Sequence, residues 1–200
     1  MVLSTKSLPK KRRASNPLSL KDIFMMLPIV TYPDKRLKAV SKEVIDFDAD
    51  LHTLLDDMYE TMINTNGIGL AAIQVNKPIN VLIINLPDDD EEGTQDRANL
   101  LEIINPIITH SEGTTVYQEG CLSVPKFYED VERFETIGIT YQDRYGKACS
   151  LEADGLLSIA IQHEIDHLLG KLFIEKLSYG RRKKFEKEYK RMQKELKAKK

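Results

Sequence analysis

The run QHEIDHL sets His163 and His167 four residues apart. On a helix, that spacing projects both imidazoles from one face, close enough to share a metal ion. Glu164 follows the first imidazole directly, so its carboxylate stands beside a water held by that ion and can take its proton. The chemistry is hydrolysis, because a metal lowers the pKa of such a water toward roughly 7 and makes hydroxide available at neutral pH. Chance placement or a salt-bridge network is the competing explanation. It fits less well, since the flanking helix is otherwise apolar, unpaired polar groups there are costly, and the chain has only four histidines.

A tetrahedral catalytic site needs a third protein ligand and one open position. In EGCLSVP, Cys121 lies between Gly120 and a short apolar segment, and its thiolate would suit iron or zinc. It can equally be a small buried hydrophobe, and spacing leaves both readings open. A further stretch, NGIGLAAIQVN, has Gly67 and Gly69 where the backbone could lie against an extended ligand, and Gln74 offers an amide donor and acceptor. A helix stop followed by a buried strand explains it as well. No phosphate loop is completed there. Cys149 reads as structural, and His52 and His110 as surface or packing residues.

These groups must be carried by local elements. DADLHTLLDDMYETMINTNG spaces Leu51, Leu54, Leu55, Met58 and Met62 by three and four residues between Asp48 and Gly67, which predicts a helix of about four turns. Residues 80–86, 101–109, 114–119, 137–141 and 148–152 are short β-prone stretches between turn-rich segments such as DDDEEGTQD and RYGK. Helical spacing returns over residues 154–169, carrying the histidine pair, and Gly170 can supply the positive φ of a helix stop. A last helix over residues 179–197 places Phe185, Tyr189, Met192 and Leu196 on one face. Strands grouped between helices, without βαβ alternation, predict an α+β fold.

A chain of 200 residues is one ordinary domain, long enough to bury a core without disulfides. Two cysteines are too few for a disulfide framework and favour a reducing compartment. No apolar run approaches the roughly 18 residues of a membrane span. The net charge of −2 conceals an uneven distribution: residues 1–25 carry +5, residues 26–175 carry −16 and residues 176–200 carry +9. The ends, not the body, would meet a polyanion. Residues 1–25 read as a basic, flexible extension; their Ser-rich, acid-poor character also overlaps with an organelle transit peptide, and Met25 or Met26 would be an alternative start.

Together, GIGLAAIQ at 67–74, EGCLS at 119–123 and QHEIDH at 162–167 resemble the three signature motifs of peptide deformylases, in the family's order and spacing. The resemblance runs from about residue 27 to 178, leaving residues 26–178 as the expected catalytic domain and 179–200 as an appended basic helix. It implies antiparallel β-sheets surrounding the HExxH helix, and removal of the formyl group from the N-formylmethionine of nascent chains in the bacterial cytoplasm or an organelle. Carried onto this chain, it implies that Cys121, His163 and His167 hold one divalent ion. That ion would be Fe²⁺, with Zn²⁺, Ni²⁺ or Co²⁺ as substitutes. Glu164 would be general base and then acid, while the Gln74 amide and the Leu122 backbone N–H would stabilise the developing oxyanion. Ile68 and Gly69 would bind the methionyl peptide, and Glu119 would orient the groups around the metal. The pattern departs after EGCLSVP, where family members carry an early arginine and this chain has KFYEDVER with Arg133 alone.

Three alternatives accompany this reading. A zincin-like protease would need a third ligand after the helix, for which Glu175 is the candidate. A ribosome-associated protein with a structural metal would need no Glu164 chemistry. The basic C-terminal helix could dock on rRNA phosphate or simply be a solvated helix.

Overall fold

The computed structural model describes Met1, residues 24–88 and residues 93–198. Helix α1 spans Ala49–Asn64 and begins where the Asp48 carboxylate accepts from the Asp50 and Leu51 backbone N–H groups. Its Leu51, Leu55, Met58 and Met62 are buried. Strands β1 (Gly69–Ala71), β2 (Val81–Ile84), β3 (Leu101–Glu112), β6 (Thr136–Gln142) and β7 (Ala148–Asp154) form one antiparallel sheet in the order β1-β2-β3-β6-β7. Strands β4 (Thr115–Cys121) and β5 (Val124–Arg133) form a separate hairpin. Helix α2, Gly155–Leu168, lies against β1, β2, β6 and β7, and α3, Tyr179–Ala198, closes the chain. The architecture is the α+β arrangement expected, with antiparallel sheets around the histidine-bearing helix.

The strands at 80–86, 101–109, 114–119, 137–141 and 148–152 all form, shifted at their ends by up to a few residues. Of the other two, β1 is the buried strand that was one of the two readings of NGIGLAAIQVN, and β5 was not anticipated. Strand β1 is three residues long, too short to show a period, and a turn of 3-10 helix over Ala72–Val75 follows it. Strand β5 runs through KFYEDVER, alternating as a strand should: Phe127, Glu129, Val131 and Arg133 face inward and Tyr128, Asp130 and Glu132 outward. Charged side chains on the inward face conceal that alternation from a hydrophobicity reading.

Three buried clusters frame the centre. One packs β1, β2, β3 and β6 on α2 through Ile68, Ile84, Ile137 and Ile161. A second lies under α1. The third joins the β4–β5 hairpin to α3 through Val124, Val131, Phe173, Phe185 and Tyr189. The predicted apolar face of α3 is thereby accounted for at Phe185, Tyr189 and Met192; the side chain of Leu196 lies outside the described residues. Gly170 adopts φ +69°, as a helix stop requires, and a Cβ there would meet the Lys38 carbonyl oxygen at 2.5 Å.

Residues 2–23, most of the expected flexible extension, lie outside the described residues. Its two ends are not free. The Met25 backbone N–H donates to Asp57 Oδ1 at 2.7 Å, anchoring the chain on α1, and Met1 is fully buried in the first cluster.

Candidate metal centre

Helix α2 presents His163 and His167 on one face, with ring centroids 5.0 Å apart. Strand β4 ends at Cys121, whose Sγ lies 3.2 Å from His167 Nε2. Donor atoms of the three residues all fall within 4.8 Å of one another, and all three residues are buried. Four elements are needed for this arrangement, because the β4–β5 hairpin carries the sulfur to α2 while β1 and the turn after it supply the opposite wall.

His163 is held by its far nitrogen. Glu119, on β4 two residues before Cys121, places Oε2 2.7 Å from His163 Nδ1. Its other contacts are from Arg133, Nε at 2.6 Å and Nη2 at 3.0 Å, and Arg133 Nη1 reaches Asp166 Oδ2 at 2.5 Å. Burial pushes the Glu119 carboxyl up, but the hydrogen bonds from Arg133 and His163 outweigh it and hold the group at about 2. An ionised carboxylate only accepts, so Nδ1 carries the hydrogen and Nε2 is left to coordinate. Among the described residues, His163 Nε2 and His167 Nδ1 are buried with no hydrogen-bond partner.

The ring charges follow from the same neighbours. Burial and the amino terminus of Met1 lower the His163 pKa, yet the Cys121 sulfur and Glu119 overcome them and raise it to about 9. His167 is driven well below its usual value, first by burial and then by the charge on His163. An ion bound there would require each imidazole to offer a nitrogen without a proton, so binding would release any proton the pair carries. An unpartnered Nε2, a sulfur and a second imidazole at these distances fit a tetrahedral thiolate–imidazole site.

Glu164 points to the other side of the cluster, toward β1. Its Oε1 lies 2.8 Å from the Met1 amino nitrogen, and its Oε2 has no partner among the described residues. Gly69 makes this approach possible, since a Cβ there would come within 2.5 Å of Glu164 Oε1. The Gln74 side chain is fully buried. Its Oε1 accepts from the Ala71 N–H at 2.8 Å, which fixes the amide so that Nε2 faces Ser123 Oγ at 3.1 Å and Cys121 Sγ at 3.7 Å. Leu122 follows Cys121 in the hairpin turn, and its Cδ1 would be 2.9 Å from a Cβ on Gly67. Ile68 is buried, and its N–H donates to the Met1 carbonyl at 2.9 Å.

Every residue singled out in the three motifs therefore lies around one centre. The other two histidines are elsewhere: His52 Nε2 meets the Arg144 carbonyl and His110 pairs with Glu152. Glu175, the third ligand that a zincin-like site would need, is engaged with Lys38 and the Leu172 N–H instead. Three participants were missed. Arg133 turns inward to Glu119, so it is not a replacement for the early arginine of the family pattern. Asp166, within QHEIDH, completes its partnership, and only its place next to His167 hinted at that. Met1 carried no signal at all.

The family model for polypeptide deformylase matches residues 26–183. A peptide deformylase of Wolinella succinogenes is 59% identical over 168 residues, covering 84% of this chain and 98% of the relative. Among solved structures, a peptide deformylase from Legionella pneumophila superposes with a TM-score of 0.78 at 38% identity, covering 88% of this chain and 99% of that one. A Met-Ala-Ser-bound class I type b peptide deformylase from Acinetobacter baumannii gives 0.72 at 30% identity, with coverages of 78% and 100%. The chain belongs to the polypeptide deformylase family, metal-dependent hydrolases that take the formyl group off the amino-terminal methionine of newly made proteins.

Proposed function

We propose that Cys121, His163 and His167 are the metal ligands of this deformylase and that Glu164, Gln74 and Leu122 carry out the proton transfer and charge stabilisation. The observation that carries this reading is the convergence of one sulfur and two imidazoles within 4.8 Å, with the Glu164 carboxylate alongside. When bound, the ion supplies Lewis acidity and makes water acidic enough to react at neutral pH. Glu164 takes the proton from the attacking water and returns it to the departing amine, with Oε2 free for the first task. As the formyl carbon becomes tetrahedral, its oxygen gains charge; the Gln74 amide, pinned by Ala71, and the Leu122 N–H are the donors that stabilise it. Because those donors are already oriented, little reorganisation accompanies the step.

Ile68 and Gly69 bind the methionyl peptide through the open edge of β1, as an added strand, and the buried apolar cluster around Ile68 takes the methionine side chain. Glu119 orients His163 from behind. Fe²⁺ is the proposed physiological ion, with Zn²⁺, Ni²⁺ and Co²⁺ as functional substitutes, since two imidazoles and a thiolate accept all four. Residues 26–178 are the proposed catalytic unit, working in the cytoplasm on nascent chains. The basic α3 is the proposed contact to rRNA phosphate, supported by the +9 charge of residues 176–200.

Formate release from formyl-Met-Ala-Ser under anaerobic conditions, measured with metal content, tests the site. A Glu164→Gln chain is expected to keep its metal and lose turnover. Retained turnover in that variant, or release of peptide fragments instead of formate, would overturn the assignment.

A further inference from the structure

Gln95 lies outside the three motifs, in the connection between β2 and β3, yet its side chain reaches the start of β1. Its Nε2 donates twice, to Gly67 O at 3.0 Å and to Asn85 O at 2.6 Å. Both partners are carbonyl oxygens, which only accept, so the orientation of the amide is settled and both of its hydrogens are used. The segment that carries Gln95 is itself tied down. Asn85, fully buried just past the end of β2, donates from Nδ2 to Asp96 O at 2.8 Å, and its backbone N–H donates to Ile68 O at 3.0 Å. The Asp88 N–H donates to Thr94 O at 2.7 Å and closes the loop beyond them.

Gly67 O and the Ile68 N–H are the two ends of one peptide group. That group is trans and planar, so holding its oxygen toward Gln95 aims its N–H the opposite way. The acceptor it meets there is a main-chain carbonyl, that of Met1, at 2.9 Å, which is the kind of group a bound peptide offers. Glycine stands at position 67 because a Cβ would crowd Leu122 Cδ1 at 2.9 Å and Met62 Cγ at 3.2 Å. A glycine also leaves the adjoining peptide freer to rotate. Gln95 restrains that rotation.

We propose that Gln95 is a positioning residue for substrate: by holding Gly67 O it keeps the Ile68 N–H aimed at the carbonyl of the substrate's methionyl residue. Drawing on the oxygen also polarises the same amide and makes its N–H a better donor. The inference rests on the reading that Ile68 and Gly69 bind the peptide, and adds the side chain that sets their direction. Gln95 acts through the Gly67–Ile68 peptide and not on the reacting atoms. Its loss is therefore read in KM, not in kcat or metal content.

The test compares the metal-loaded full chain with two variants. Gln95→Met keeps the length of the side chain and removes both donors; Gln95→Glu sets an acceptor against two carbonyl oxygens. KM and kcat are measured for formyl-Met-Ala-Ser and for an analogue whose Met–Ala amide is replaced by an E-alkene. The analogue keeps the formyl amide but has no methionyl carbonyl for the Ile68 N–H to meet. Gln95→Met is expected to raise KM for the peptide by about three- to tenfold, the range of one hydrogen bond's net contribution, at unchanged kcat and metal content. Gln95→Glu is expected to raise it at least as much. On the alkene all three chains are expected to share one KM, because the interaction between the two changes is then gone. KM does not depend on the fraction of chains that are folded, so reduced stability in a variant does not obscure the comparison. An unchanged KM, or an equal rise on both substrates, overturns the positioning role. The Ile68 reading survives that outcome if the unaltered enzyme still favours peptide over alkene. Equal KM values for the two substrates in the unaltered enzyme remove the Ile68 contact itself, and this inference with it.

Discussion

Glu119 grips His163 at the nitrogen that faces away from the metal centre, with Oε2 2.7 Å from Nδ1, and Arg133 clamps the same carboxylate from the other side. This places a buried cation behind a buried anion behind the proposed ligand His163. Removing the charge should loosen the imidazole without removing it. A Glu119→Gln chain is expected to bind metal about 10–100-fold more weakly, the range found for such supporting partners, in competition titrations against a chromophoric chelator. Unchanged affinity would mean that His163 is oriented by packing alone.

Arg133 is itself nearly inaccessible, with its side chain 1% exposed, and satisfies both Glu119 and Asp166. Cutting it back strands two carboxylates in a low-dielectric interior. Breaking a buried pair by removing one partner costs about 3–5 kcal/mol, a large share of an ordinary domain's stability of roughly 5–15 kcal/mol. An Arg133→Met chain is expected to lose that much in urea unfolding. Combining it with Glu119→Gln should recover part of the loss, because one of the two stranded charges is then gone.

At Gly69 the backbone approaches the Glu164 carboxylate closely. A Cβ added at this position would sit 2.5 Å from Glu164 Oε1 and 3.1 Å from its Cδ, so the carboxylate must shift. Displacements on the order of 1 Å in reacting groups cost about a hundredfold in rate. A Gly69→Ala chain is expected to fall in kcat by that order while metal content, read by elemental analysis, remains as it was. Full activity would remove Glu164 from the reaction.

What could be read from the sequence divides along physical lines. The His163–His167 pair was legible because helical periodicity is local, and Gly69 because two glycines within three residues, Gly67 and Gly69, suggest a close backbone approach. Cys121 was ambiguous as a lone thiol, and its neighbours EGCLS with the other two motifs made it legible through resemblance. Strand β5 was obscured by Glu129 and Arg133 on its inward face, charges whose partners lie far along the chain and are apparent only once folded. Met1 reaches β1 across 68 positions. No local pattern can announce such a contact.

Metal removal should report on folding as well as on activity. The centre joins β4 to α2, so an ion bound there stabilises the native state by RT ln(1 + [L]/Kd), about 2.7 kcal/mol at a hundredfold excess over Kd. Chelation is expected to abolish formate release and lower the unfolding midpoint. Readdition of Co²⁺ or Zn²⁺ should restore the midpoint together with a measurable share of turnover. A midpoint indifferent to chelator would place the ion outside the Cys121, His163 and His167 cluster.

The basic terminal helix needs a test that does not dismantle the core. Phe185 is 1% exposed and meets Phe127 and Tyr32 at ring-centroid distances of 4.4 and 5.4 Å, while the Tyr189 hydroxyl donates to the Tyr32 carbonyl. Truncation before residue 180 would therefore expose the third cluster, and weakened ribosome binding would be uninterpretable. A Phe185→Ala substitution is expected to cost about 3–5 kcal/mol. Lys183, Lys184, Lys187 and Lys190 are exposed. Exposed substitutions usually change stability by no more than about 0.5 kcal/mol. Changing all four to Gln should leave the unfolding midpoint nearly intact and, if α3 docks on rRNA phosphate, weaken binding and flatten its dependence on salt. Identical affinity and salt slope in the Gln variant would leave α3 as a structural helix with a solvated face.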